Sequence, residues 1–226
     1  MKKPTGSYPH VRVQGDGRAV VSQAGSVLLV ETVRKRGLDQ AISAALAPWR
    51  EPRAVHDPGK MLVDLTLAVA LGGDCLADIA LLRSEPAVFG PVAFDPTLSR
   101  LIDTLASSDE KALTAIRTAR SEVRRRACEL AGGRAPDAGR QVTVDMDGVL
   151  VLAHSDKQDA APTWTKTYSH HPLMGFVDHG PGGTGEPVAA LLRAGNGGSN
   201  TAADHITATR LAWPNYRRST GEADEP

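Results

Sequence analysis

Cysteine is scarce in this chain: Cys75 and Cys128 are the only two in 226 residues, and no Cys-x-x-Cys spacing occurs. That excludes a thiolate metal site or a dithiol redox pair, and leaves two free thiols expected to lie buried in apolar, helical segments of a protein kept reduced. A net charge of one sign is also missing. The 26 Lys and Arg offset 26 Asp and Glu, so any surface for a polyanion has to come from local clustering. Long apolar runs are absent as well. The greasiest stretch, Met61 to Leu71, is too short to span a bilayer and contains Asp64, and Met1-Lys2-Lys3-Pro4-Thr5-Gly6 leads into no signal-peptide core. The expectation is a cytoplasmic protein with no membrane partner. Apolar residues at 41% and charged residues at 23% are ordinary for a soluble globular chain and argue against disorder throughout.

What is present divides the chain by the period of its apolar residues. Residues 1–26 are polar and glycine-rich and read as a flexible arm. From 27 to 131 the spacing is helical. Leu28, Leu29 and Val33 lead to Arg34-Lys35-Arg36 and a stop at Gly37, and Leu38, Ala41, Ile42 and Ala45 form a second helix. Asp57-Pro58 supplies a cap and a first-turn proline for a helix through Val69, ending at Gly72-Gly73. Asp74 is expected to cap the next helix, to about Arg83, and Asp95-Pro96 the one carrying Leu98, Leu101, Ile102 and Leu105. Ser107 and Glu110 suggest a capping box for the last helix, whose stripe is Leu113, Ile116, Ala119, Val123, Ala127 and Leu130. Residues 132–140 read as a Gly- and Ala-rich linker. Beyond it the period changes to two, with strands expected over 142–146, 149–153, 173–178 and 187–193, a helix over 200–211, and a disordered tail over 212–226. The fold class is α+β.

The sharpest chemical signal is Val142-Thr143-Val144-Asp145-Met146-Asp147-Gly148, a strand whose polar face ends in two carboxylates at a glycine turn. Such a strand end can offer oxygen ligands to a hard divalent cation, and two-metal phosphoryl transfer uses carboxylates in this way. The bland alternative is a solvated strand end with an Asp-Gly turn. Asp145-Met146-Asp147-Gly148-Val149 also resembles the first motif of haloacid-dehalogenase-like phosphatases, in which Asp145 would be the nucleophile and Asp147 the acid and base. That family needs a later Lys, a paired-acid motif and further parallel strands, for which the rest of the chain shows no pattern.

A second resemblance covers nearly the whole sequence. Asp57-Pro58-Gly59-Lys60, Leu71-Gly72-Gly73-Asp74-Cys75-Leu76-Ala77-Asp78, Asp95-Pro96-Thr97-Leu98-Ser99-Arg100, Asp145-Met146-Asp147-Gly148, His154-Ser155-Asp156-Lys157, His171-Pro172-Leu173 and Gly195-Asn196-Gly197-Gly198-Ser199-Asn200-Thr201-Ala202-Ala203-Asp204-His205 resemble, in order, blocks of DDE-type transposases from actinobacterial insertion sequences. The resemblance implies a helical DNA-binding domain at 27–131, the start of an RNase-H-like catalytic domain at 141–211, and DNA transposition, that is, recombination by cleavage and joining at the element's terminal repeats. It also implies Mg²⁺ or Mn²⁺ as cofactor, with Asp147 as first catalytic carboxylate and metal ligand, Asp145 beside it, and a homo-oligomer or full-length transposase as protein partner. Two departures qualify it. Val149 stands where the family has a hydroxyl residue, and the later catalytic acids have no counterpart, the likeness stopping near Trp213. The expectation is therefore a truncated form, with weak or no metal binding and no cleavage of its own; the alternative is a non-catalytic DNA-binding fragment.

Basic clusters supply the candidate DNA surface. Arg34, Lys35 and Arg36 end one helix, and Arg117, Arg120, Arg124, Arg125 and Arg126 crowd another, largely off its apolar stripe. A solvated face and a phosphate-contacting face are both open. His170-His171 lacks an acidic partner at ligand spacing and reads as structural or DNA-proximal. Gly195 to Asn200 precedes a helix but lacks the Lys-Ser/Thr of a nucleotide-binding loop, so a tight turn or a DNA-phosphate contact suits it better.

Overall fold

Local caps and glycines set the helix boundaries of the N-terminal half in a computed structural model that describes residues 8–12, 24–135, 142–180, 185–198 and 201–215. Two compact units divide the chain, Met1–Val123 and Arg124–Pro226. In the first, α1 (Ser26–Arg36) stops at Gly37, whose φ of 71° is the left-handed conformation glycine adopts most readily, and α2 (Leu38–Ala45) follows at once. Asp57 caps α3 (Pro58–Ala70) by accepting the Lys60 N–H at 3.0 Å, with Pro58 in the first turn. Gly59 lets α3 press on α2: a Cβ there would lie 2.3 Å from the Ser43 Cα. Short helices α4 (Ala80–Arg83) and α5 (Pro86–Phe89) precede α6 (Asp95–Ala106) and α7 (Asp109–Ala131). Their shared core includes Val30, Ile42, Leu46, Leu67, Ile79, Leu82, Phe89 and Leu98, with Ala119 from α7.

Several local features differ from those the sequence suggests. Tyr8, assigned to a flexible arm, is in this core. The rest of the arm outside residues 8–12 and 24–26 lies outside the described residues. Asp74 does not cap the turn that begins at Leu76; Cys75 is its N-cap, and the Asp78 carboxylate accepts the N–H groups of Asp74 and Cys75. Cys75 is consequently exposed and Cys128 half-buried, where both were expected inside. Phe94 occupies the cap position of α6, leaving Asp95 to pair with Arg83 at 2.8 Å. Ser107 closes α6 by donating to the Thr104 carbonyl rather than opening α7, and Leu113 and Leu130 of the expected α7 stripe are exposed.

The second unit is built on alternation. Its strands are β1 (Val144–Gly148), β2 (Val151–Leu152), β3 (Ala161–Pro162), β4 (Tyr168–His170), β5 (Leu173–Val177) and β6 (Glu186–Leu191), followed by helix α8 (Ala202–Asn215). They form two antiparallel sheets, β1-β5-β6 and β2-β4-β3. α8 lies on β5 and β6, and Ala212 joins Val177, Val188 and Ala189 in a small core. The helix runs through Trp213 to Asn215, four residues past its expected end; residues 216–226 of the expected tail, and 136–140 of the expected linker, lie outside the described residues. β3 and β4 were not expected, being too short to show a period. The two compact units meet in sequence at Val123 and Arg124, within α7, and Arg124 is tied to Glu186 of β6. Among the described residues no helix is long and apolar enough to cross a membrane.

Candidate functional site

Strict alternation in β1 half-buries Val144 and Met146 and turns Asp145 and Asp147 out to solvent on one face. The two acids lie two strand rises apart, about 6.6 Å. Opposite them on β5 stand Phe176 and Met174, each half-buried. The pair thus projects beside an apolar floor at the end of a ladder that continues through Val149 N–H to the Pro172 carbonyl at 3.2 Å.

Two hard oxygen donors on one exposed face suit a single hard divalent cation, but two ions held a few ångströms apart need further carboxylates. Among the described residues, the one group of three His, Cys, Asp or Glu ligand atoms lying within 4.8 Å of one another is Asp74, Cys75 and Asp78, in the first unit. That group is a backbone cap: the N–H groups of Cys75 and Asp74 hold the Asp78 carboxyl below the usual carboxylate range. The later acids of the second unit serve locally. Asp178 accepts the Gly180 N–H at 2.8 Å, and Asp204 accepts the Thr201 N–H and the Arg193 guanidinium, each at 3.1 Å. The backbone N–H of Thr201 is the main reason the Asp204 carboxyl titrates low. The antiparallel pairing of β1 and β5 also fails to supply the parallel strands that the phosphatase reading requires.

The basic residues differ in their burial and in their partners. Arg34 is folded onto Glu31, with Nε 3.1 Å from the carboxylate, while Lys35 and Arg36 are exposed. On α7, Arg117 and Arg120 are half-buried and Arg126 exposed, and Arg125 pairs with Glu129. Arg124 is the clear correction. Expected on a solvent-facing side, it is buried, and its Nε donates to both carboxylate oxygens of Glu186 at 2.8 Å. His170 and His171 are held through ring nitrogens against the carbonyls of Gln158 (2.9 Å) and Gly197 (3.1 Å). Gly195 sits against the hairpin of β3 and β4, where a Cβ would lie 2.2 Å from the Ser169 carbonyl oxygen. It is the tight-turn reading of this loop that fits; Ser199 and Asn200 lie outside the described residues.

Two features escaped the sequence. One is a sealed polar trio: Lys60 Nζ lies 2.9 and 2.8 Å from the Asp64 oxygens, the Tyr8 hydroxyl donates to Asp64 at 2.7 Å, and the ammonium rides 4.5 Å over the Tyr8 ring. Burial and the Asp64 charge push the Tyr8 phenol far above its ordinary range, and desolvation moves Asp64 up and Lys60 down despite their attraction. The other is the hairpin between β3 and β4, with the exposed Trp164 at its tip. Tyr8 lies 56 residues from Asp64, so no local pattern could have shown the trio.

The family model described as transposase DDE domain, group 1, matches residues 3–219. No curated protein and no solved structure matches the chain.

Proposed function

The chain belongs to the transposase DDE domain group 1 family, whose activity is DNA transposition, and from that premise we propose that β1 carries the first carboxylate of a DNA-cleaving and strand-joining centre. Asp147 is that carboxylate and Asp145 its neighbour. The observation that carries the reading is their joint exposure on one face of β1, at the head of three antiparallel strands followed by a helix. This arrangement suits the opening of an RNase-H-like domain, and the second edge of β1 bears no strand among the described residues.

The family uses divalent ions, and here Asp147 and Asp145 would hold Mg²⁺ or Mn²⁺, which when bound lowers the pKa of a water and offsets charge on phosphate. β1 fixes the two carboxylates in direction, and Met174 and Phe176 bound one side of the site with apolar surface. One strand face with two acids is short of the donors that two ions require. Cleavage is accordingly proposed to need a carboxylate that the described residues do not bring to β1, so the chain by itself acts on element ends as a DNA-binding competitor of full-length transposase, in the cytoplasm. Residues 27–131 are the proposed DNA-binding part, through Lys35 and Arg36 first.

The test is nicking and strand transfer on element-end DNA, with the chain alone and with the chain joined to the second half of a relative's DDE domain. Activity only in the joined protein, abolished by Asp147→Asn, is the expected result. Activity that survives Asp147→Asn would remove Asp147 from the centre.

A further inference from the structure

Trp164 is the most exposed large apolar side chain among the described residues, at 88%. It stands on a tip that is braced. The Thr163 N–H donates to the Thr167 carbonyl at 2.8 Å, the Lys166 N–H donates to the Thr163 carbonyl at 2.9 Å, and Lys166 adopts a left-handed φ of 61° that closes the turn. The hydroxyls of Thr163, Thr165 and Thr167 lie 2.6 to 3.1 Å from one another, and that of Thr163 also accepts the Thr165 N–H at 3.2 Å. The base of the hairpin is fixed as well. His171 and Arg193 exchange two hydrogen bonds, of 2.9 Å each, and Gly195 packs against the carbonyls of Ser169 and Ala161.

A rigid hairpin that holds an indole almost wholly in water keeps apolar surface hydrated, and nothing in its own packing requires that. Residues 164–168 at its tip are all exposed. Its charge has one sign: residues 160–171 include Lys166, His170 and His171 and no acid. An exposed aromatic ring two residues from a lysine on a braced hairpin is suited to stacking on a nucleobase while the ammonium meets the phosphate backbone. Every base offers a π-face, and only an unpaired base offers it freely.

We propose that Trp164 stacks on an unpaired base of the DNA, with Lys166 on the adjoining phosphate, and so positions the strand relative to Asp147. This rests on the DNA-transposition reading. Trp164 is a positioning residue: it is carried by the hairpin of the β2-β4-β3 sheet, whereas Asp147 stands on β1 of the other sheet.

The experiment uses the whole chain with two probes, a duplex bearing a single-stranded thymine tail and the same duplex blunt-ended. Binding is read by mobility shift and by the tryptophan emission that Trp164→Phe removes. The expected result is quenching by the tailed duplex and a loss of roughly 5- to 150-fold in its affinity on Trp164→Ala, with partial rescue by Trp164→Phe and no change for the blunt duplex. Circular dichroism of both variants should match the parent, because the side chain is solvated. Equal binding of both probes by parent and Trp164→Ala would overturn the inference while leaving DNA binding intact. Failure of both probes to bind would overturn the DNA reading with it. An emission change that follows protein concentration rather than DNA would assign Trp164 to a contact between copies of the chain, and would also overturn the inference.

Discussion

Lys60 and Asp64 are sealed in the core of the first unit, whereas Asp145 and Asp147 stand in water on a strand of the second. The first pair is buried and held by its own members and by Tyr8, so it ties segment 8–12 to α3 in one arrangement and is closed to solvent. The second pair holds nothing together and keeps its oxygens available. Charge that closes on itself is architecture, and charge left open is where chemistry can be sought. Arg124 is the instructive intermediate: by sequence it belonged to an open surface, and by structure it is closed on Glu186.

The largest expected effect tests that contrast directly. Asp64→Ala leaves the Lys60 ammonium buried without its counter-ion and should cost about 3 to 5 kcal/mol, whereas Asp147→Ala on the exposed strand should stay within about 0.5 kcal/mol. Urea unfolding followed by circular dichroism measures both. Equal losses would erase the distinction between the two pairs.

Next in size is Arg124→Glu, which sets like charges together at a buried site and should destabilise the second unit by about 2 to 3 kcal/mol. The swapped pair Arg124→Glu with Glu186→Arg should recover much of this. A fully stable single variant would return Arg124 to the candidate DNA surface.

These outcomes bear on what a sequence can reveal. Asp57-Pro58, Gly37 and the alternation through Asp145 and Asp147 were legible because a cap, a left-handed stop and a two-residue period are written in neighbouring residues. Even locally, competition misled: Asp78 reaches back to cap where Asp74 was expected, and Ser107 bonds backward to Thr104 instead of forward. The partners of Arg124 and Tyr8 lie 62 and 56 residues away, beyond any periodicity. β3 and β4, at two and three residues, are held by their neighbours and carry too little pattern to announce themselves. The candidate carboxylates were therefore found from sequence, while the closure of Arg124 and the exposure of Trp164 were not.

A smaller effect concerns the open cations. If Lys35 and Arg36 each neutralise a phosphate, reversing both to Glu should flatten the dependence of log K on log salt by about 1.8, without changing the unfolding midpoint. Fluorescence anisotropy with duplex DNA over a range of salt reads the slope. An unchanged slope would place the DNA surface elsewhere.

The smallest effect lies at His56, beside the sealed trio. Burial, and secondarily the Lys60 charge, hold its imidazole below the ordinary histidine value of 6.5. With the folded pKa depressed, the unfolded chain takes up the proton more readily, so the contribution of His56 to stability is present above pH 6.5 and is lost as pH falls through the folded value. Asp39 works in the opposite sense: burial raises its carboxyl, and its contribution is lost as pH rises through the folded value. Both act at acid pH, so the informative quantity is the difference between the parent and His56→Gln, measured as urea midpoints across that range. The difference should be nearly constant above pH 6.5 and should shift in favour of His56→Gln as the solution is acidified. Because Lys60 contributes to the depression, the shift should shrink in a Lys60→Met background. A difference that does not change with pH would mean that the charge sealed in this core is not felt at its margin, and the contrast between closed and open charge would then reach no further than the residues in direct contact.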